Sequence, residues 1–195
     1  MKNLLITLVL ALSLALAACD FDGGVEQGRC VAYDADKHTV TLVVDTTLDQ
    51  HDPHYSGKVD TFTLPDNPLD MGPAPEAGGR LMVEPDKNKV LIYDPATKSI
   101  KEIDAEFIGK EENVGAKSPK LKGKEFPIID KAAGTVTIYS PRRETIYTLK
   151  VSPEILELPA YIWKPGDEVR IAFRKDKPGL AIRFMNVSKT SIYTR

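Results

Sequence analysis

The sequence predicts a mainly β protein: two tandem small antiparallel β-barrel-like units from an internal duplication, with little helix beyond an N-terminal signal helix. Three observations predict it. Short runs rich in Val, Ile, Thr and aromatic residues alternate with turn residues through most of the chain. The order of these runs after Arg29 recurs after Phe126. Helical signals are few: Pro153 to Leu158 reads as one or two turns with proline at its start, and Pro68 to Gly79 holds too much proline and glycine to be helical.

The first unit spans residues 29–107. Its strand Thr39 to Val44 is rich in β-branched residues and follows the turn-like Asp34-Ala35-Asp36-Lys37. Thr61 to Leu64 alternates. Arg80 to Val83 and Lys89 to Tyr93 flank Glu84-Pro85-Asp86-Lys87-Asn88, a hairpin with turn chemistry in its loop. The second unit, 126–195, has the same order. Pro127 to Asp130 leads through Lys131-Ala132-Ala133-Gly134 into Thr135 to Tyr139, then Thr145 to Leu149, then the Gly-led strand Gly166 to Phe173, then Leu180 to Phe184. Thr97-Lys98-Ser99-Ile100 and Lys189-Thr190-Ser191-Ile192 also correspond. Five short, twisted antiparallel strands close most easily as a small barrel. Lys164 to Val169 resembles the turn-plus-strand of small barrels of the SH3-like and oligonucleotide-binding (OB) kinds. Residues 108–125, charged and punctuated by glycine, read as a flexible linker between the units.

The chain opens with Lys2 and an apolar run from Leu4 to Leu16, broken by Thr7 and Ser13. That run is shorter than the roughly 20 residues that span a bilayer and has the layout of a secretory signal. Leu16-Ala17-Ala18-Cys19 resembles the lipobox of bacterial lipoproteins. The resemblance implies removal of residues 1–18 as a signal peptide and a diacylglycerol on the Cys19 thiol. Acyl chains there would hold the protein on a membrane, at about 0.8 kcal/mol for each buried methylene. Asp20 resembles the enteric signal for retention in the inner membrane, with the outer membrane as the alternative. Residues 19–28 read as a polar, glycine-containing tether. The protein is thus expected to be lipid-anchored at the extracytoplasmic face of the bacterial cell membrane.

Net charge is −2 but unevenly spread: the first half is acidic, and the tail from Lys164 onward is basic. With Cys19 acylated, Cys30 is the only remaining thiol, so no intramolecular disulfide is expected; beside Val31 it reads as a small buried hydrophobe. His51 and His54, bracketing Asp52-Pro53 with Asp45 and Asp49 upstream, are weak candidates for a divalent metal, because Pro53 places them on a loop with no fixed common face. No metal site and no cofactor is predicted. No Gly-x-Ser-x-Gly elbow, no catalytic cysteine pattern and no phosphate-cradling glycine loop is present, so no catalytic residues and no enzyme are predicted.

Trp163, Arg170, Arg174, Lys175 and Arg183 form a basic, aromatic candidate surface for a partner protein or headgroup. Nucleic acid is excluded as a partner by the extracytoplasmic address, and no small molecule is assigned. The expected role is an accessory or scaffold lipoprotein that holds a protein partner at the membrane. The alternative is a lipoprotein binding a ligand, ion or glycan; an envelope enzyme ranks third.

Overall fold

A computed structural model describes residues 22–47, 49 and 52–190. Its strands are β1 (Gly23–Asp34), β2 (Thr39–Asp45), β3 (Tyr55–Thr63), β4 (Arg80–Glu84), β5 (Lys89–Asp94), β6 (Ser99–Asp104), β7 (Glu106–Glu111), β8 (Ile128–Asp130), β9 (Thr135–Ser140), β10 (Thr145–Lys150), β11 (Glu168–Arg174) and β12 (Ala181–Asn186). Among the described residues the one α-helix is the single turn α1 (Pro153–Leu156), which carries proline in its first turn. The protein is therefore mainly β with little helix. Residues 1–18, Cys19, Asp20, His51 and Ser191-Ile192 lie outside the described residues.

The strands form three antiparallel sheets. One has five strands in the order β12-β11-β1-β2-β3, one has four in the order β7-β10-β9-β8, and one has three, β4-β5-β6. None closes into a barrel among the described residues. The expected barrels are absent because the strands of neither half stay together. The meander β1-β2-β3 takes β11 and β12 from the other end of the chain, with Glu26 opposite Ile171 and Gln27 opposite both Arg170 and Asp45. Its core joins Val40, Leu42 and Phe62 to Val169, Ile171 and Phe184. The second meander, β8-β9-β10, packs instead against β4 to β6: Val136, Ile138 and Leu149 meet Val83, Val90 and Ile92. Each core thus combines a meander from one half with strands from the other.

The central strand of the three-stranded sheet, β5, is covered on both faces. Val90 and Ile92 point into the core just described, while Leu91 and Tyr93 pack against Val31, Val43 and Val59 of the five-stranded sheet. This double burial explains the unbroken apolar run Val90-Leu91-Ile92-Tyr93, since a strand covered on one face alone would alternate.

The two meanders share local detail. Asp34 and Asp130 each accept hydrogen bonds from backbone amides of their own turns, and each turn ends on a left-handed residue, His38 (φ 55°) or Gly134 (φ 69°). Thr41 pairs with Thr61 across the strands, as Thr137 does with Thr148. The Leu64 amide donates to the His38 carbonyl, as the Val151 amide does to Gly134.

Two segments assigned to linkers are ordered parts of the sheets. Gly23 to Gly28 of the expected tether is the first half of β1, bonded along β11. A side chain there would block the packing: a Cβ on Gly28 would sit 2.0 Å from the Val43 carbonyl oxygen. The expected linker from residue 108 starts inside β7, and its Val114 is fully buried, with its amide on the Glu144 carbonyl and its own carbonyl accepting from the Tyr139 hydroxyl.

Because each core needs both halves, separate fragments 20–115 and 116–195 are expected to stay unfolded by circular dichroism and to regain the native spectrum only when refolded together.

Candidate functional site

The connections that carry the chain from each meander to the opposite core cross at Glu76 to Arg80 and Lys164 to Glu168. The Arg80 amide donates to the Lys164 carbonyl at 3.1 Å, and the Asp167 amide to the Glu76 carbonyl at 2.8 Å. Glycine permits this approach. A Cβ on Gly78 would lie 2.3 Å from the Lys164 carbonyl oxygen, and one on Gly166 would lie 1.9 Å from that of Cys30.

The crossing floors a cleft of about 760 Å³. Arg29, Arg80 and Arg142 reach into it beside Glu168, and Met82 and Pro165 supply apolar wall. Arg29 comes from β1. Its Nε donates to the Tyr55 hydroxyl at 3.1 Å, its Nη1 donates to the Gly166 carbonyl at 2.7 Å, and its Nη2 lies 3.5 Å from Glu168 Oε2. Arg142, from the turn between β9 and β10, places Nη2 3.7 Å from the same oxygen. Glu168 opens β11 and is 2% exposed. Burial raises its carboxyl above the usual range, and the charges of Arg29 and Arg142 oppose that rise.

Arg80 opens β4 and is 3% exposed. Its Nη2 donates to the Tyr139 carbonyl, while Nη1 is buried with no hydrogen-bond partner among the described residues. Burial, and then repulsion from Arg29, push its guanidinium down to about 9, which leaves it cationic at neutral pH. Around the rim the charges are balanced: Lys189 binds Glu76 at 2.8 Å and lies 3.3 Å from Asp167. The lining as a whole carries Arg29, Arg80, Arg142, Arg143 and Lys189 against Asp52, Glu76, Asp167 and Glu168, so Arg80 is set apart by its missing carboxylate partner among the described residues and not by a count of charges.

The sequence-predicted residues fall mostly elsewhere. Trp163 is no surface residue: it is 1% exposed in the core shared by β4–β6 and β8–β10, because the 3-10 turn Ala160–Trp163 packs its apolar side inward. Arg170 is part-buried and gives two hydrogen bonds to Gln27 Oε1, so its donors are engaged within the sheet. Arg174 and Lys175 are exposed at the end of β11 and pair with Asp176 and Asp22. Arg183 is exposed on β12. His54 is exposed, with Nε2 3.7 Å from Asp52, and its backbone amide is held by the buried Asp45. Among the described residues no group of three or more His, Cys, Asp or Glu side chains is placed to hold a metal ion. Cys30 is buried, and burial pushes its thiol up to about 12.

The cleft residues Arg29, Arg80, Arg142 and Glu168 were not singled out from sequence. For two of them one local signal was available: Arg80 follows Gly78-Gly79 as Glu168 follows Gly166-Asp167, each as the first residue of its strand.

Fold and cleft together define a mainly β protein with a polar, arginine-floored groove where its two halves cross. Residues 21–195 match a family described as a domain of unknown function (DUF4881), and the chain belongs to that family. Searches of curated proteins and of solved structures find no match.

Glu168 is the one carboxylate held between Arg29 and Arg142. Glu168→Gln would leave both cations facing each other, so urea titration is expected to show a loss of about 3–5 kcal/mol of unfolding free energy.

Proposed function

We propose that this protein is a lipid-anchored extracytoplasmic binding lipoprotein, with the cleft at the crossing as its ligand site. The observation that carries the binding role is the concavity at the crossing, lined by Arg80 with one terminal nitrogen unpartnered among the described residues. Its volume of about 760 Å³ suits a small ligand or the end of a larger one. The lipobox-like Leu16-Ala17-Ala18-Cys19 supports the anchor, and Asp20 supports retention at the inner membrane. Binding a ligand takes precedence over scaffolding a protein partner, because Trp163 is in the core and Arg170 is engaged with Gln27.

We further infer that the two halves descend from one duplicated unit whose hairpins have exchanged places. The matched turn, threonine-pair and backbone contacts of the two meanders support it, as do the reciprocal cores.

Two measurements test the functional reading. Mass spectrometry of the protein from native membranes is expected to find Cys19 as the first residue with a diacylglycerol mass, and Cys19→Ser is expected to abolish that mass and membrane retention. An unmodified mature terminus would overturn the address. For the site, a ligand drawn from envelope extract is expected to raise the melting temperature and to slow amide exchange at 140–143 and 164–168. Protection confined to other segments would overturn the cleft assignment.

A further inference from the structure

We propose that Arg80 is an oxyanion receptor: the cleft takes a ligand that carries a carboxylate or phosphate group and seats that group on the unspent side of the Arg80 guanidinium. The proposal rests on the cleft being a ligand site and adds the chemistry of what enters it.

Arg80 occupies an unfavourable position as the chain stands. Charged arginine is almost never fully buried unless paired, because the low-dielectric interior penalises an uncompensated charge. Here the side chain is 3% exposed, one terminal nitrogen binds one backbone carbonyl, and the other is buried without a partner among the described residues. Its charged neighbour, Arg29, repels it. The carboxylate on the cleft floor does not relieve this, since Glu168 lies between Arg29 and Arg142, at 3.5 Å and 3.7 Å. Nor does Asp167, whose Oδ2 accepts from the Glu76 amide at 2.8 Å and from Asn186 Nδ2 at 2.8 Å.

An anion would resolve the arrangement. A guanidinium presents a planar fork of donors that matches carboxylate and phosphate oxygens, and such charge-assisted bonds are about twice as strong as neutral ones. Arg142, its side chain 26% exposed and its Nη2 3.7 Å from Glu168 Oε2, lines the same cleft and adds a second guanidinium to it. The remaining volume, with Met82 and Pro165 on its wall, exceeds what a bare inorganic ion fills, so the ligand has a carbon body behind its anionic end.

The test is calorimetric titration of the full mature chain with inorganic phosphate, with citrate and, as the neutral control, with glucose. Phosphate or citrate is expected to bind, and glucose is not. Stronger binding of citrate would assign a carboxylate ligand, and stronger binding of phosphate a phosphorylated one. Arg80→Met is expected to weaken the favoured anion at least tenfold, and to melt no lower than wild type without ligand, because it removes an unpaired buried charge. Should Arg80→Met fail to fold, Arg142→Gln, altered in a turn, is expected to weaken the same anion severalfold. Equal affinity in wild type and the folded variant would overturn the proposal by placing the anion elsewhere. So would binding of neither anion while an envelope ligand still protects 140–143 and 164–168, an outcome that leaves the cleft as a ligand site and removes only its anionic chemistry.

Discussion

The glycine-lined crossing of the two connections is the constraint on which the rest of the structure depends. At Gly78 the other connection, and at Gly166 the Cys30 carbonyl of β1, come closer than any side chain tolerates. Each connection is thereby committed to the side of the molecule opposite its own meander. The hairpin that follows lands on the other half, and two cores form that neither half can fill alone. The meanders themselves are local, built from short turns and neighbouring strands. The crossing is what converts local pieces into one molecule, and it does so through backbone hydrogen bonds such as Arg80 to Lys164 and Asp167 to Glu76, joined by the Asp167 carboxylate on the Glu76 amide.

The same crossing sets the electrostatics of the cleft. Arg80 and Glu168 are each the first residue of the strand leaving it, so the fold brings a buried cation and a buried anion to corresponding places in its two halves. They are not treated alike. Glu168 is flanked by Arg29 and Arg142, whereas Arg80 has only a backbone carbonyl. Arg80 thereby keeps a positive charge without a carboxylate partner among the described residues, in a setting where the surrounding dielectric is too low to screen it.

Much of the fold was legible in the sequence because its signals are local. Thr39 to Val44, Lys89 to Tyr93, Thr135 to Tyr139 and Thr145 to Leu149 announced strands through β-branched and aromatic content, and Asp34 and Gly134 announced the turns between them. The exchange of partners was not legible. Which strand pairs with β1 depends on where two distant connections cross, and no spacing along the chain encodes that distance. Gly23 to Gly28 looked like a tether because glycine in a strand is uncommon, and its reason, the close approach of Val43, lies in another strand. Trp163 misled in the opposite sense: it adjoins Lys164 and a basic tail, yet only the tertiary packing of its 3-10 turn decides that it faces inward. Arg80 gave no signal beyond the glycines before it, since burial of a lone arginine is decided by the residues that surround it in space.

The position of β1 also bears on how a lipid anchor would present the cleft. Four residue steps separate Cys19 from Gly23, where β1 begins, and an extended chain spans at most about 14 Å over that length. An acylated Cys19 would therefore keep the Gly23 end of the five-stranded sheet close to the headgroups. Arg174 is paired in register with Gly23, and Lys175 follows it with its ammonium on Asp22. That end of β11 would then lie at the bilayer, with the charges of Arg174 and Lys175 balanced by Asp176 and Asp22. The cleft lies toward the other end of these strands: Arg29 pairs with Glu168 at the far end of the β1–β11 ladder, six residues along from Gly23 and Arg174. At roughly 3.3 Å per residue that is about 20 Å of strand between the membrane end and the arginine floor. A short tether and a long shared ladder would together hold the opening clear of the surface that anchors it.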